Sequence, residues 1–298
     1  MMSKPPVVTL NSPRFCSGLR EIAGDLDGII LDLWGCLHDG IDGYPAALDC
    51  LRHWRQTGKR VGIISNAPRR ASAVAKRIAE MGITPDLYDG LYSSGEETWR
   101  ALRDRTAPDL RHLGRVAYPI IPDKDLGLAD GLGLELTTDL ERAGFLLVIG
   151  VEGPDDTVAQ FEELLRRAAW QGIPLLCANP DLMVHRGDIA EICAGALAVR
   201  YQELGGQVVY FGKPHAGIYQ RCLQELHLDN PAAVLGVGDS CRTDIAGAAG
   251  IGAKSLFLGG GIHRDDVLKN GQIDPHLTVE LMRRHGVMAD FAMSALSW

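Results

Sequence analysis

The stretch GDLDGIILDLWGCLHDG, residues 24–40, contains two places at which acidic side chains could begin a catalytic or metal-binding site. Asp25 and Asp27 form the first, and Asp32, followed two positions later by Trp34, forms the second. The apolar run between them is typical of a buried strand. Ligands of open parallel sheets bind at the carboxyl ends of the strands. Because only Asp32 follows the run, we predict that it is the functional acid and that the earlier pair is a polar turn.

Apolar runs and helical patterns alternate on both sides of this stretch. We predict a helix over 44–58, with Leu48, Leu51 and Trp54 on one face, followed by a strand over 59–66. Further strands are expected over 206–214 and 232–240. Strands that alternate with helices indicate βαβ units and a parallel sheet covered on both faces. The predicted fold class is therefore α/β, with a doubly wound, Rossmann-like parallel-sheet core.

The middle of the chain has an α/β pattern of its own. Strands are expected over 115–121, 144–150 and 173–179, with a helix over 155–172. Since candidate catalytic residues lie on both sides of this block, we predict that it is a domain inserted into the first. The expected division is a core of residues 1–105 and 206–298 and an inserted α/β domain of residues 106–205.

Three other predicted strands end in polar residues that suit Asp32. Ser65 and Asn66 offer a hydroxyl and a backbone N–H that can bind a phosphoryl oxygen. Lys213 offers a fixed cation. Two further carboxylates, Asp239 and Asp244, would form with Asp32 an oxygen-rich site suited to Mg²⁺. Each element alone is common, but the ordered set of four is hard to obtain by chance.

This set resembles the haloacid dehalogenase (HAD) superfamily of aspartyl phosphotransferases over nearly the whole chain. The position of the insertion is similar to that of subclass IIA, the NagD-like phosphatases, whose inserted cap is an α/β domain. The resemblance implies that Asp32 is the nucleophile and that Lys213 neutralises charge. It further implies phosphate binding by Ser65 and Asn66.

The same resemblance implies the metal ligands. Mg²⁺ would be held by Asp32, the backbone carbonyl of Trp34 and Asp239, with Asp244 supporting the metal or its water. The segment CANPDLMVHRGDIAEICAGALA, residues 177–198, is similar to the Asn-Pro-Asp segment of NagD-like caps. Asn179 and Asp181 are accordingly expected to bind substrate, although an Asx-type turn around Pro180 explains them equally well.

Trp34 departs from the family pattern. Phosphatases of the family carry at this position an aspartate that protonates the leaving group, and loss of such a group typically costs about 10²–10⁴ in rate. Three interpretations remain open. The protein is a phosphatase with another acid–base, for which His38 and Asp39 are nearby, or with substrates that need little protonation. The second interpretation is a dehalogenase-type hydrolase. The third is a phospho-ligand-binding protein with weak catalysis.

Composition limits the partners. The net charge of −8 argues against a nucleic-acid partner, and no segment approaches the length of a membrane span. Seven cysteines without metal spacing indicate thiols in a reducing cytoplasm, with Cys36 and Cys241 as buried fillers.

The glycine run within 257–263 is expected to be a turn. A small phosphorylated molecule is the expected substrate, and the resemblance allows a homodimer.

Overall fold

Two parallel sheets contain most of the strands of this protein. The computed structural model describes residues 12–105, 107–186 and 189–298. The larger sheet has seven strands, in the spatial order Arg14–Phe15, Phe291–Met293, Lys254–Leu258, Val234–Gly238, Gly28–Leu31, Arg60–Ser65 and Gly90–Ser93. The smaller has five, in the order Val208–Tyr210, Leu175–Cys177, Phe145–Val148, Val116–Ile120 and Glu135–Leu136. All neighbouring pairs in both are parallel, which confirms the predicted fold class.

The helices connect these strands as in βαβ units. The α-helices are Pro45–Gln56, Ala71–Ala79, Ser94–Asp104, Pro108–Arg111, Glu162–Trp170, Ala194–Glu203, Ala216–Glu225, Ala246–Gly250, Arg264–Val267 and Pro275–Arg284. The first of them begins at a proline, whose fixed φ suits that position, and buries the predicted face of Leu48, Leu51 and Trp54. None of the helices in the described parts of the chain is long and apolar enough to cross a membrane.

The larger sheet is buried on both faces. Ile29 and Leu31 point into one hydrophobic cluster, while Ile30 points into a second one on the other side. Successive side chains of a strand alternate between the two faces, and all four residues of Gly28–Leu31 are buried. The central strand is therefore held by apolar packing along its whole length, and only its two ends can present polar groups.

One strand of the smaller sheet lies on the core side of the expected division at 205/206. Strand Val208–Tyr210, expected to belong to the core, pairs instead with Leu175–Cys177 of the smaller sheet. The apolar run at 208–211 reads the same in either sheet, so the pattern alone could not show which neighbour it joins. Two antiparallel strand pairs complete the strands of the described residues, Met183–Arg186 with Ile189–Ile192 and Leu268–Lys269 with Gln272–Ile273.

Candidate active site

Asp32 lies at the carboxyl end of the central strand Gly28–Leu31, as predicted. Its backbone N–H continues the sheet by donating to the Val237 carbonyl at 2.9 Å. Its Oδ1 is 2.6 Å from the Lys213 Nζ, and its side chain is 11% exposed. Asp25 and Asp27 are exposed at the opposite end of the same strand. The structure therefore separates the two acidic pairs in the way that the sheet rule predicts.

Lys213 joins two carboxylates in the interior. Its Nζ lies 2.6 Å from Asp32 Oδ1 and 2.7 Å from Asp244 Oδ1, with the lysine side chain only 4% exposed. Burial alone would lower the pKa of Lys213, but the two carboxylates more than offset it and raise the pKa well above its ordinary value. Lys213 is therefore a permanent cation, and it opposes the rise that burial causes in the pKa of Asp32.

The backbone around Lys213 is fixed by side chains from the core. Asn66 Oδ1 accepts from the Lys213 N–H at 2.7 Å, and Asn66 Nδ2 donates to the Lys213 carbonyl at 3.1 Å. Gly212, with φ of +96°, packs so closely that a Cβ there would lie 2.5 Å from Asn66 Oδ1. Glu97 accepts from the Gly212 N–H at 2.7 Å, and burial raises the pKa of Glu97 to about 7. These contacts hold Lys213 in place although no strand of the larger sheet presents it.

Asp239 follows the neighbouring strand Val234–Gly238 and sits between two glycines. A Cβ on Gly35 would lie 2.1 Å from Asp239 Oδ2, and one on Gly261 would lie 1.9 Å from it. The same oxygen accepts from the Ile262 N–H at 2.7 Å. The predicted glycine turn thus has a specific role, because it lets the backbone approach Asp239 and fix its orientation.

A group of possible metal ligands forms around Asp32. One ligand atom each from Asp32, Cys36 and Asp239 lies within 4.8 Å of the others. Burial, together with the neighbouring carboxylates Asp32 and Asp244, raises the pKa of Asp239 well above its ordinary range. Clustered carboxyls of this kind repel one another unless a cation or protons compensate them. The cluster is therefore suited to a divalent cation.

Asp244 lies outside this group of ligand atoms. It sits in the π-helical turn Cys241–Ile245, where its Oδ1 contacts the Lys213 Nζ and its Oδ2 accepts from the Ser240 N–H at 3.0 Å. Both oxygens are thus engaged with the protein. Burial raises the pKa of Asp244 to about 6, against the opposing effect of Lys213.

The other predicted substrate residues come from the loop after strand Arg60–Ser65 and from the cap. Ser65 is buried, and its Oγ accepts from the Ala67 N–H at 3.2 Å. In the cap, Asn179 Oδ1 accepts from the Asp181 N–H at 3.1 Å, which is the Asx-type turn of the alternative interpretation. The turn also faces the core, because Asn66 Nδ2 donates to Asp181 Oδ1 at 2.9 Å.

Several polar contacts among the described residues join the cap to the core, and three of them lie beside a cleft of about 190 Å³. These three are Asn66 with Asp181, Arg242 with the Pro180 carbonyl at 2.7 Å, and Arg69 with Asp125 at 2.6 Å. Asp32, Ser65 and Asn66 line the core side of the cleft, and Asn179 and Asp181 line the cap side. With Trp34, which also lines it, the cleft brings together six of the predicted site residues.

Trp34 also lines this cleft, whereas His38 and Asp39, which were considered as substitutes for the missing acid, do not. His38 is buried, and its Nδ1 accepts from the Gly40 N–H at 2.9 Å. Burial lowers the pKa of His38 to about 4, so the ring is neutral at physiological pH. Asp39 is exposed, and its Oδ1 accepts from the backbone of the following turn. Neither side chain is placed to exchange a proton in the cleft.

Sequence reasoning missed several contributors to the site. Cys36 was treated as a filler, although its sulfur lies beside the carboxylates of Asp32 and Asp239. The side-chain contacts that Asn66 makes with Lys213 and Asp181 span 147 and 115 residues of sequence, so no local pattern could have indicated them. None of the seven cysteines, all of which lie in described segments, forms a disulfide.

Family models match both halves of the core. The model described as haloacid dehalogenase-like hydrolase matches residues 29–135, and one described as HAD-hydrolase-like matches residues 210–283. The first match contains Asp32, Ser65 and Asn66, and the second contains Lys213, Asp239 and Asp244. The matched segments thus include all four predicted motifs.

Individual relatives extend over most of the chain. Chronophin from Rattus norvegicus is 30% identical over 246 residues, which is 77% of this chain and 75% of chronophin. The human glycerol-3-phosphate phosphatase is 24% identical over 276 residues, covering 85% of each chain. The crystal structure of a haloacid dehalogenase-like hydrolase from Brucella suis 1330 superposes with a TM-score of 0.80 at 30% identity, covering 94% of this chain and 99% of that one.

The predicted resemblance is thereby confirmed, including an α/β cap of the NagD-like kind inserted between the Ser65-Asn66 motif and Lys213. This chain belongs to the haloacid dehalogenase-like hydrolase family and is an enzyme of that family.

Proposed function

We propose that this enzyme is a Mg²⁺-dependent phosphatase that hydrolyses a small phosphate monoester through a phospho-Asp32 intermediate. The observation that carries the proposal is the buried contact of Asp32 Oδ1 with the Lys213 Nζ at 2.6 Å, at the carboxyl end of the central strand. A carboxylate nucleophile must be ionised to attack phosphorus, and burial works against ionisation. Lys213 supplies the fixed positive charge that favours the ionised form.

The ligand atoms around Asp32 fit a divalent cation. Two carboxylates, Asp32 and Asp239, offer the hard oxygen atoms that Mg²⁺ prefers, and the predicted Trp34 carbonyl would add a third. Bound there, Mg²⁺ would supply electrostatic stabilisation for the phosphoryl oxygens. The Cys36 sulfur in the same group is a softer donor, for which we propose no role in Mg²⁺ binding.

The remaining residues would position Lys213 and bind or neutralise the phosphoryl group. Asp244 would hold the Lys213 ammonium against Asp32, because its carboxylate binds the lysine from the other side. Ser65 would bind a phosphoryl oxygen through its hydroxyl, and Asn66 through its backbone N–H, since the Asn66 side chain already binds Lys213. With Lys213 as cation, these groups would surround the phosphoryl group with donors.

The cap would select the substrate. Its smaller sheet and its Asn179–Asp181 turn face the core across the cleft, and Trp34 adds an aromatic wall on the core side. Sugar, nucleotide and aryl phosphates all remain candidate substrates. The name of the human relative supports a phosphate monoester in general. A homodimer is proposed from the family resemblance alone, and sedimentation of the purified chain would test it.

The test is release of inorganic phosphate from a panel of sugar, nucleotide, aryl and acyl phosphates, with Mg²⁺ and with EDTA. We expect turnover that needs Mg²⁺ and that Asp32→Asn abolishes. Acid-quenched wild-type enzyme should carry an acid-stable but hydroxylamine-sensitive phosphoryl group on Asp32, as expected of an acyl phosphate.

Two other results would replace the proposal. Binding of phosphorylated ligands without turnover on any of the four classes would favour the phospho-ligand-binding interpretation, which the loss of an acid at Trp34 keeps open. Halide release from 2-haloacids without a metal requirement would favour the dehalogenase-type interpretation.

A further inference from the structure

The Trp34 side chain leaves the proposed reaction without a proton donor at the usual position. An indole does not exchange a proton at a useful pKa, and the two nearby substitutes are occupied elsewhere: His38 by the Gly40 N–H and Asp39 by its own turn. Departure of an alcohol from phosphorus needs a proton, and activation of the water that follows needs a base that removes one. The donor must therefore come from another wall of the cleft.

Four carboxyl side chains line the cleft within the described residues, and three of them are poor candidates. Asp32 is the proposed nucleophile. Asp125 is already engaged in an ion pair with the Arg69 guanidinium at 2.6 Å. Glu191 lies on the strand Ile189–Ile192 of the cap and is engaged in an interaction of its own. The fourth carboxyl is Asp181.

Asp181 is held against the phosphate side of the cleft. Its Oδ1 accepts from Asn66 Nδ2 at 2.9 Å, and the same amide nitrogen donates to the Lys213 carbonyl at 3.1 Å. One asparagine side chain therefore connects the cap carboxyl to the lysine that contacts the nucleophile. Asn179 fixes the Asp181 backbone, and Arg242 fixes the intervening Pro180 carbonyl, so the carboxyl is positioned from both domains.

The electrostatic surroundings of Asp181 favour a carboxyl that can hold a proton. Burial raises the pKa of Asp181 above its ordinary value, and Lys213 and the Asn66 amide partly oppose this rise. Asp244 raises the pKa further, while Arg242 lowers it. Asp181 in turn contributes to the raised pKa of Asp32, after burial and against Lys213. The two carboxyls are thus close enough to affect each other's protonation.

We propose that Asp181, a residue of the cap, is the catalytic acid and base of this enzyme and performs the proton transfers that Trp34 cannot. The inference rests on the proposed phosphatase function. In the first step an Asp32 oxygen bonds to phosphorus, the bond from phosphorus to the leaving oxygen breaks, and the Asp181 proton passes to that oxygen. In the second step the Asp181 carboxylate takes a proton from water, the water oxygen bonds to phosphorus, and the Asp32–phosphorus bond breaks to release inorganic phosphate.

The test compares two leaving groups in three variants. Phenyl phosphate needs protonation of its leaving oxygen, whereas 4-nitrophenyl phosphate needs little. Asp181→Asn keeps an oxygen for the Asn66 amide but cannot donate a proton to the leaving group. Asp181→Glu restores the carboxyl, and Glu191→Gln is the matched carboxyl-to-amide change on another cap wall of the cleft. Single-turnover rapid quench measures phenol release, and the same samples report phospho-Asp32.

We expect Asp181→Asn to slow phenol release from phenyl phosphate by about 10²–10⁴-fold and release of 4-nitrophenol much less. Phospho-Asp32 should accumulate in this variant, because water activation is lost as well. The alkaline limb of the wild-type pH profile for phenyl phosphate should disappear. Asp181→Glu should recover part of the rate, and Glu191→Gln should change both substrates by the same factor.

A role of Asp181 that is only structural predicts a different pattern. Equal slowing of both substrates by Asp181→Asn, or no slowing at all, would overturn the inference while Asp32→Asn still abolished turnover. A wild type that releases phosphate from no substrate of the four classes would overturn the proposed function, and the inference with it. Circular dichroism of each variant establishes that the comparison is made on folded protein.

Discussion

The central strand Gly28–Leu31 carries acids at both of its ends, and the two ends differ in every physical respect. Asp25 and Asp27 are exposed, and the nearby Lys59 ammonium donates to backbone carbonyls of Ala23 and Gly24. At the other end Asp32 is nearly enclosed and contacts a buried lysine. The difference teaches that the direction of a strand in a parallel sheet, more than the presence of acids, decides where chemistry can occur.

The largest test of this contrast is substitution of the two acids themselves. Asp32→Asn should reduce turnover of any phosphate substrate by at least about 10³-fold, because the amide cannot form the covalent intermediate. Asp27→Asn should leave kcat and KM unchanged. Steady-state kinetics on the best substrate of the panel measures both. An active Asp32→Asn together with an inactive Asp27→Asn would invert the assignment.

The two lysines offer a comparison of stability. Lys213→Met should cost about 3–5 kcal/mol of unfolding free energy at pH 7, since it leaves two buried carboxylates uncompensated. Lys59→Met, at the other end, should cost about 1 kcal/mol, the value of an ordinary hydrogen bond. Urea denaturation at constant pH measures the difference.

The cost of Lys213→Met should also depend on pH. The pKa of Asp244 is raised to about 6, above its unfolded value, so the folded state binds protons more tightly than the unfolded state. Stability from a group of this kind is present at low pH and is lost as pH rises through the folded pKa. The variant should therefore lose less stability at pH 5 than at pH 7. An equal loss at both values would mean that the carboxylates are compensated in another way.

Mg²⁺ binding should distinguish the two ends of the central strand by a smaller change in unfolding free energy. Saturating Mg²⁺ should stabilise the wild type by up to about 2.7 kcal/mol at one hundred times its Kd, because only the native state assembles the ligands. Asp239→Ala should remove most of the gain, and Asp25→Ala should keep it. Thermal melts with and without Mg²⁺ measure both, and a wild-type Tm that millimolar Mg²⁺ leaves unchanged would contradict the metal site.

Glycines at the two ends give the smallest expected effect. A Cβ on Gly40, whose φ is +96°, would lie 2.5 Å from the Trp34 ring, so Gly40→Ala should cost about 1–2 kcal/mol through strain and a displaced indole. At Gly24 a Cβ meets nothing within 4 Å, and Gly24→Ala should be neutral or stabilising by up to about 1 kcal/mol. Tm values of the pair, with kcat/KM as a second readout for Gly40→Ala, decide the point.

The amino-acid pattern predicted the parts of the site that strands position. Asp32 and Asp239 could be found because an apolar run precedes each of them and both runs lie in one sheet. Lys213 was predicted from its order in the chain and lies beside Asp32, but the strand before it belongs to the smaller sheet. What places Lys213 is the pair of hydrogen bonds from Asn66, and a contact between distant residues has no local periodicity to reveal it.

The cap turn was ambiguous for a related reason. An Asn-Pro-Asp sequence forms the same Asx-type turn whether or not it faces a cleft, and the structure contains both the turn and the contact with the core. The two interpretations therefore did not exclude each other. Whether such a turn faces a cleft depends on how the cap packs against the core. The chain passes from the core into the cap and back, so this packing has no local signal in the sequence.

The polar contacts between cap and core beside the cleft have a kinetic consequence. Moving the cap away from the core breaks all of them together, so they favour the arrangement in which the walls of the cleft already face each other. A ligand that must enter through an opened cleft binds only the open fraction of molecules, and its apparent affinity falls in proportion to that fraction. The Arg69–Asp125 pair, whose arginine is 42% exposed, is an ion pair, and salt screens such a pair. Ionic strength would then change the rates at which ligand enters and leaves the cleft, while the rate of the chemical step stays the same.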